Sequence, residues 1–314
     1  MSLPVIGRYE IRRGLGRGAM GSVYLAFDAK VGREVAIKVL QRDVAQNEKH
    51  RMRFDREARA IGALHHPNIV EIYDYGGSPD HYLYLVMELI HGPDTGRLCR
   101  EHGPFPESVL AAVGCELAAA LSHAHRAGLI HRDIRPENVF LDRGRLVLAD
   151  FGIAKAIVAD NPLGREAASP KTDVVGTPGF MAPEQLLGQP LDGRTDLFAL
   201  GALLYYLASK RLPYPAESPY ELMKEFRETR PLPLSELRPD LSDDASLLVQ
   251  ACLEVSKEHR PARADLVRKK LRQILDDLGA PDVRDVLAKY EASPLEFRIA
   301  DRERAVAHLV QRLK

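Results

Sequence analysis

The stretch HRDIRPENVFLDRGRLVLADFG, residues 131–152, decides the fold of this chain. It holds two short apolar runs on either side of the turn residues Asp142–Arg145, a pattern typical of a β-hairpin. If the turn centres on Gly144, Asn138 and Asp150 face each other across the ladder, with Cα atoms about 4.5–5.5 Å apart. Two oxygen ligands at that separation suit Mg²⁺. The hairpin therefore predicts a metal pair made of Asn138 and Asp150.

The composition is that of an ordinary soluble globular protein. The chain has 314 residues, 45% of them apolar, and 44 acidic side chains balance 44 basic ones. This length allows two packed domains, and the absence of a basic excess argues against a nucleic-acid partner. Three widely spaced cysteines fit a reducing cytoplasm, and the longest apolar run, residues 197–208, is too short to cross a bilayer. We therefore expect a cytoplasmic protein without a membrane segment.

Three glycines near the start, Gly16, Gly18 and Gly21, stand between strand-like segments at 9–14 and 23–27. A dinucleotide-binding fingerprint with the same spacing would open a helix instead. Glycines at the tip of a hairpin let backbone N–H groups approach phosphates without side chains between them. The pattern predicts a phosphate-binding hairpin.

One acidic residue interrupts an apolar helical stripe. In the helix predicted over residues 48–64, Glu57 shares a face with Phe54 and Ile61. An unpaired carboxylate in such a stripe is costly, so it needs a cation. Lys38, inside the apolar run 35–40, is the natural partner, and we expect a Lys38–Glu57 ion pair.

The remaining periodicity divides the chain. Strand-like alternation dominates the first ninety residues, and helical spacing dominates afterwards, with helices predicted near 107–126, 194–207, 220–228, 242–254 and 263–275. We expect three parts: a β-rich domain with one helix over residues 1–90, a helical domain over 91–275 and a helical extension over 276–314. The fold class is α+β.

Six motifs occur in a fixed order along the chain. They are GxGxxGxV from Gly16 to Val23, VAIK from Val35 to Lys38, Glu57, HRD from His131 to Asp133 with Asn138, DFG from Asp150 to Gly152, and APE from Ala182 to Glu184. Together they resemble the eukaryotic-type (Hanks-type) protein Ser/Thr kinase family. The residues within the motifs resemble those of a bacterial member. The resemblance runs from about Tyr9 to Leu275 and implies a two-lobed kinase fold. It also implies transfer of the γ-phosphoryl group of ATP to Ser or Thr of protein substrates.

The resemblance implies a role for each motif residue. Lys38 would reach the α- and β-phosphates, and Val23, Ala36, the gatekeeper Met87, the hinge groups of Glu88 and Ile90, and the floor residue Phe140 would surround adenine. Asp133 would accept the proton of the substrate hydroxyl, and Asn138 and Asp150 would hold Mg²⁺, with Mn²⁺ as an alternative ion.

Other positions are expected to position or regulate the site. Arg135 stands where the family usually has a lysine that touches the γ-phosphate, and a planar guanidinium changes that fit. Thr177 would contact Asp133, and Glu184 would pair with Arg260. Asp196 would accept hydrogen bonds from the backbone of the catalytic loop, residues 131–138.

The long segment 150–184 carries four prolines and is predicted to be a switch. Thr172, with Ser169 second, is the expected autophosphorylation site, because a phosphate would pair with Arg132. Autophosphorylation would involve transient self-association.

Two rival functions stay open. A nucleotide-binding scaffold (a pseudokinase) is favoured only by Arg135, and a small-molecule phosphotransferase is disfavoured by Gly176-Thr177-Pro178 and the APE motif. In the extension, Ala305, Val306, Leu309, Val310 and Leu313 mark one apolar helix face, which we expect to pack back on the rest of the protein.

Overall fold

A computed structural model describes residues 5–18, 21–40, 48–78, 82–152 and 178–312 of the chain. The described residues form two compact units. The first unit contains the described residues within the ranges Met1–His65, Ile69–His91 and Asp150–Val175. The second unit contains those within His66–Asn68, Gly92–Ala149 and Gly176–Lys314.

The first unit is built on a six-stranded antiparallel sheet with the order β1-β2-β3-β4-β6-β5. Its core joins the buried side chains of Tyr9, Ile11, Val35, Ile37 and Val86. The strands are β1 Val5–Ile6, β2 Tyr9–Gly18, β3 Gly21–Asp28, β4 Arg33–Leu40, β5 Ile72–Ser78 and β6 Tyr82–Met87.

One helix, α1 (Glu48–Gly62), belongs to this unit. Its apolar stripe is buried as the sequence predicts: Phe54 is 1% exposed and Ile61 is 4% exposed. The polar faces of the helix remain accessible, since the stripe is narrow. Glu57 on the stripe keeps 17% of its side chain exposed.

The second unit is mainly helical. Its helices are α2 Thr95–His102, α3 Glu107–Arg126, α4 Pro183–Leu187, α5 Gly193–Ser209, α6 Pro219–Glu228, α7 Leu234–Leu237, α8 Asp243–Cys252, α9 Ala264–Asp277, α10 Val283–Ala292 and α11 Pro294–Arg312. Short 3-10 turns cover Pro136–Asn138, Pro178–Phe180 and Lys257–His259.

Helices α3 and α5 form the centre of this unit. Helix α3 has the bounds that the sequence predicts, and α5 is buried over most of its circumference, as its apolar run indicates. The Asp192 side chain caps α5 by accepting from the Arg194 N–H at 2.8 Å, which satisfies one of the unpaired donors of the first turn. None of the helices in the described part of the chain has both the length and the apolar character needed to cross a bilayer.

The predicted hairpin exists, but its register differs by one residue from the expected one. Strands β7 (Val139–Asp142) and β8 (Arg145–Leu148) pair Asp142 with Arg145, so the turn holds two residues. Both have positive φ, 53° and 73°, as a type I′ turn requires. Continuing this register brings Ala149 opposite Asn138, and the Ala149 N–H donates to the Asn138 carbonyl at 2.8 Å. The expectation that Asp150 faces Asn138 across the ladder is therefore wrong.

The physical reason for the shift lies in the turn. A two-residue I′ turn matches the right-handed twist of the strands. It also presents two backbone N–H groups to Glu291 of α10, which accepts from Arg143 at 3.0 Å and from Gly144 at 2.6 Å. This stabilisation comes from a residue about 150 positions away and leaves no local signal in the sequence.

The C-terminal extension packs on the second unit, although through other residues than expected. Leu287 and Tyr290 of α10 and Phe297 of α11 are buried. By contrast, Val306 and Val310 of the predicted apolar face are 57% and 46% exposed. The side chains of residues 308–309 and 311–314, and with them Leu309 and Leu313 of that face, lie outside the described residues.

We expect Phe297→Ala to destabilise the protein by about 3 kcal/mol, because it removes a buried ring and leaves a cavity. The matched control on the same helix is Ile299→Ala, since Ile299 is 60% exposed. That control should change stability by no more than about 0.5 kcal/mol. Thermal unfolding midpoints of the two variants and the wild type measure this. Equal midpoints for all three would show that α11 is not packed as described.

Candidate active site

The glycine-rich segment forms the hairpin that the sequence predicts. Gly16 pairs with Val23 and Gly18 pairs with Gly21 across β2 and β3. An added Cβ would meet no heavy atom within 4 Å at Gly16 or Gly18. At Gly21 it would lie 2.0 Å from the Val39 carbonyl oxygen, at a φ of 146°. Only the third glycine is therefore required by packing, while the first two leave the backbone open.

Lys38 lies next to this hairpin on β4, opposite Val23 in the ladder. Its ammonium forms an ion pair with the Asp150 carboxylate. Glu57 pairs instead with its neighbour Arg56, with Arg56 Nη2 and Glu57 Oε1 at 3.1 Å. The expected Lys38–Glu57 ion pair is therefore not formed in this structure.

A small cavity of about 20 Å³ in the first unit accompanies this arrangement. Lys38 and Asp150 line it together with Phe151 and with Phe54 of α1. Phe151 is only 5% exposed, so the aromatic ring of the DFG motif is packed in the first unit. Asp150 itself has a φ of 64°, a left-handed conformation that non-glycine residues rarely adopt and that marks functional sites.

The predicted gatekeeper Met87 is 8% exposed and pairs with Ala36 across β4 and β6. The Glu88 N–H donates to the Glu71 carbonyl at 2.9 Å, so this amide is engaged within the first unit. The Ile90 N–H and the Glu88 carbonyl remain the predicted adenine contacts. In the second unit Phe140 is half-buried and bridges to Asp94.

A buried carboxylate fixes the catalytic-loop backbone. Asp196 of α5 is fully buried and accepts from the His131 N–H at 2.8 Å and from the Arg132 N–H at 2.9 Å. The predicted role of Asp196 is confirmed. A third contact, from His125 Nε2 at 2.8 Å, was not foreseen, because a histidine near a helix end carries no signal of its distant partner. Arg132 is held at a φ of 67°.

His131 connects the two ends of the 131–152 stretch within the second unit. Its Nε2 lies 3.1 Å from the Ala149 carbonyl, to which it can only donate, and its Nδ1 accepts from the Asp133 N–H at 3.3 Å. This assigns the tautomer with the proton on Nε2. The ring therefore fixes both Asp133 and the residue before Asp150.

Asp133 and Asn138 are joined directly. The Asn138 amide nitrogen donates to the Asp133 carbonyl at 2.8 Å and to Asp133 Oδ2 at 3.2 Å. With its nitrogen engaged, Asn138 keeps its amide oxygen as an acceptor. An amide oxygen and the Asp150 carboxylate are the hard ligands that Mg²⁺ prefers, so the residues present fit a divalent ion of this kind.

Arg135 is turned towards its own loop. Its Nε donates to Glu137 Oε2 at 2.7 Å. Reaching a phosphate would require Arg135 to give up or share this contact. Residue spacing does not predict this pair, because residues two apart have no fixed relation in a loop.

The expected Glu184–Arg260 pair is confirmed. Two hydrogen bonds of 2.7 and 2.9 Å join the groups, and both side chains are buried. Burial pushes the pKa of Glu184 up, but the hydrogen bonds and charge of Arg260 outweigh it and hold that pKa below its usual value. The pair braces the start of α4.

Three predicted residues cannot be placed. Thr177, Thr172 and Ser169 lie outside the described residues. Their roles stay predictions.

Comparison with known proteins agrees with this arrangement of motifs. The model of the protein kinase domain matches residues 9–271. The chain belongs to the protein kinase family. The family predicted from the motifs is confirmed, and so is the fold, a β-rich part followed by a helical part. Members of this family use ATP and a divalent metal ion.

Two bacterial serine/threonine-protein kinases illustrate the similarity. The chain is 37% identical over 266 residues to a probable serine/threonine-protein kinase of Corynebacterium efficiens, covering 83% of this chain and 40% of that protein. It is 38% identical over 269 residues to the serine/threonine-protein kinase pkn2 of Myxococcus xanthus, covering 84% of this chain and 32% of that protein. The chain thus spans less than half the length of these curated relatives.

The fold has solved counterparts. The crystal structure of the PknI kinase domain of Mycobacterium tuberculosis aligns with a TM-score of 0.70 and 29% identity. The alignment covers 88% of this chain and 99% of that one. The kinase fold is therefore shared over nearly the whole of the solved domain.

We expect Glu184→Gln to destabilise the kinase domain by about 3 kcal/mol at pH 7, because Arg260 is left as an unpaired buried charge. The folded-state pKa of Glu184 lies below its unfolded value, so its stabilisation is present above the unfolded pKa of about 4.3 and is lost as the pH falls through the folded value. The stability difference between wild type and variant should shrink over that acidic range. The exposed Glu236→Gln serves as control, with chemical denaturation at pH 7, 5 and 3.5 as the measurement. A difference that does not change with pH would contradict the assignment.

Proposed function

We propose that this chain is a protein serine/threonine kinase that transfers the γ-phosphoryl group of MgATP to Ser and Thr hydroxyls of proteins. The observation that carries the proposal is the fixed catalytic loop, in which Asn138 donates to Asp133 and Asp196 binds the loop backbone. A scaffold without catalysis has no need for a carboxylate fixed at this position.

Asp133 is proposed as the group that orients the acceptor hydroxyl and takes its proton on a carboxylate oxygen. The hydrogen bond from Asn138 to Oδ2 restricts the rotation of that carboxylate. The backbone at Asp133 is restrained as well, since its N–H donates to His131. Restraint of this kind removes the entropy of orienting the base during the reaction.

The nucleotide is proposed to be bound by the residues that the motifs predict. Backbone N–H groups at Gly16, Gly18 and Gly21 and the ammonium of Lys38 are proposed to contact phosphates. Adenine would contact a larger set of side chains and hinge groups: Val23, Ala36, Met87, Glu88, Ile90 and Phe140.

Asn138 and Asp150 are proposed to hold Mg²⁺, with Mn²⁺ as an alternative. When bound, the ion neutralises phosphate charge. The role of the protein is to keep the Asn138 oxygen available, which the engagement of its amide nitrogen by Asp133 supports.

The pairing of Lys38 suggests how activity is regulated. A competent kinase needs the lysine to pair with the helix glutamate and the DFG aspartate to hold metal. In the structure Asp150 neutralises Lys38 and Arg56 neutralises Glu57. Activation would then exchange partners, releasing Asp150 for the metal and moving Glu57 to Lys38.

Phosphorylation of Thr172 or Ser169 is proposed to drive this exchange. The Nε of Arg132 is buried and has no hydrogen-bond partner within the described part of the chain. A phosphate would supply acceptors for such a group. Thr177 is proposed to contact Asp133, and Arg135 to contact the γ-phosphate after release from Glu137.

We also propose a cytoplasmic location, supported by three buried cysteines that form no disulfide. Protein substrates and, during autophosphorylation, a second copy of the chain would be the partners. A nucleic-acid partner is not proposed, because the formal net charge is zero.

Autophosphorylation tests the proposed function. After incubation with MgATP, peptide mass spectrometry should find phosphate on Thr172 or Ser169, and the Asp133→Asn variant should carry none. Phosphate only at other positions would overturn the switch. Absence of phosphate on the protein and on any added protein, together with magnesium-dependent nucleotide binding, would instead favour a scaffold.

The proposed exchange of ion-pair partners predicts different effects on kcat for substitutions at the neighbouring residues Glu57 and Arg56. Glu57→Gln should lower kcat at least about thirtyfold, since a buried charge pair loses about 2 kcal/mol or more when one partner is removed. Arg56→Ala, at a side chain that is 75% exposed, should leave kcat unchanged or raise it by freeing Glu57. Steady-state rates with a generic protein substrate measure both. An equal loss in the two variants would mean that the observed Arg56–Glu57 pair is the active arrangement.

A further inference from the structure

A groove of about 690 Å³ lies in the second unit beside the catalytic loop. Pro136 and Glu137 of the loop line it, and so does Phe180, which belongs to the predicted switch segment 150–184. The other lining residues belong to α5 and α6 and to the segments that follow these helices. The groove is thus built from the same loop that carries Asp133.

Three cations line this groove: Lys210, Arg211 and Arg230. All three are exposed, and none pairs with a carboxylate of the described residues. Of the two acidic lining residues, Glu137 is already paired with Arg135. Even when Arg135 leaves Glu137, three positive charges face two negative ones in the groove, so the groove favours anions.

Hydrogen bonds restrain the backbone segments that carry the three cations. Lys210 is the left-handed C-cap of α5, with its N–H donating to the Tyr206 carbonyl at 2.7 Å. The Arg211 N–H donates to Ser209 Oγ at 3.2 Å. The segment with Arg230 is held by the Tyr205 hydroxyl, which donates to the Leu232 carbonyl at 3.0 Å. Charges on restrained backbone lose less entropy when they bind a partner.

Apolar surface accompanies the charges. Phe180, Tyr206, Leu212 and Pro213 line the same groove and would cover the backbone and aliphatic parts of a peptide. A groove lined by apolar side chains and by exposed cations fits an acidic peptide segment better than a free small anion, which makes no use of the apolar part.

The groove lies within reach of the proposed phosphorylation chemistry. Pro136 follows Asp133 by three residues, which span at most about 11 Å. An extended peptide advances about 3.3 Å per residue, so side chains about two to four positions from the acceptor hydroxyl would enter the groove.

We propose that this kinase selects protein substrates with Asp or Glu about two to four residues from the phosphorylated Ser or Thr, bound by Lys210, Arg211 and Arg230. The inference rests on the proposed kinase function and names the class of its substrates. The carboxylates pair with the three exposed cations, and because these contacts are exposed, the selection weakens as salt concentration rises.

The test compares peptides that differ only by Asp, Ala or Lys at each position from four before to four after the acceptor. For the wild type we expect kcat/KM for the best acidic peptide to exceed that for the Ala peptide roughly five- to tenfold, as a few exposed ion pairs allow. In R211Q/R230Q this ratio should fall to about two or less. In R211E/R230E the preference should reverse in favour of the Lys peptide.

The matched control is Arg227→Ala, an exposed arginine of α6 outside the groove, which should keep the wild-type ratio. Fluorescence anisotropy with the acidic peptide, its acceptor replaced by Ala, gives a second readout that needs no catalysis. Binding of that peptide should weaken about fivefold or more in R211Q/R230Q.

Two failures are distinguishable. Phosphorylation of all peptides at equal rates, or a preference unchanged in R211E/R230E, would overturn the acidic selection and leave the kinase function intact. No transfer to any peptide and no autophosphorylation would overturn the kinase function. In that case anisotropy still decides on the groove, since equal binding of acidic and Ala peptides would overturn the site itself.

Discussion

The buried carboxylate of Asp196 is the interaction on which the rest of the site depends. It is fully enclosed in the second unit and accepts from two consecutive loop N–H groups and from His125. A buried anion without donors would be very costly, and consecutive N–H groups pointing at one carboxylate require an unusual backbone. The positive φ of Arg132 is the result. From that point His131 positions both Asp133 and Ala149, so one charge in the core fixes the geometry of a loop on the surface.

The carboxylates of Asp150 and Glu57 are competing candidates for the ammonium of Lys38. In the first unit the Lys38 ammonium forms its ion pair with Asp150, and Glu57 pairs with Arg56. The proposed exchange would give up the Arg56–Glu57 pair, which contributes little because the Arg56 side chain is 75% exposed, and Asp150 would exchange Lys38 for the metal ion. In the proposed switch, a modest bias such as a phosphate near Arg132 would therefore be enough to exchange the partners. In the second unit, the three cations of the proposed acidic substrate groove pair with no carboxylate of the described residues.

Local sequence patterns are sufficient to predict some elements of this protein. Helix α3 begins and ends where its apolar spacing and flanking residues predict, and the stripe of Phe54 and Ile61 on α1 is buried as expected. The buried pair of Glu184 and Arg260 followed from the family motif. The hairpin register did not follow from its pattern. Two turn lengths fit the apolar alternation equally well, and the choice between them involves Glu291, far along the chain.

The sequence by itself determined the kinase fold, the order of its elements and the identity of the chemical groups, because motif spacing and apolar periodicity are local properties. Only the tertiary structure decided which charges pair. Lys38 has two acidic candidate partners within the motifs, and it pairs with Asp150. Arg135 pairs with Glu137, a partner that the motifs do not predict. The packing of the extension through Tyr290 and Phe297 likewise depended on surfaces contributed by distant helices. Ion pairing depends on distances of a few ångströms and on burial, and neither is encoded by residue spacing alone.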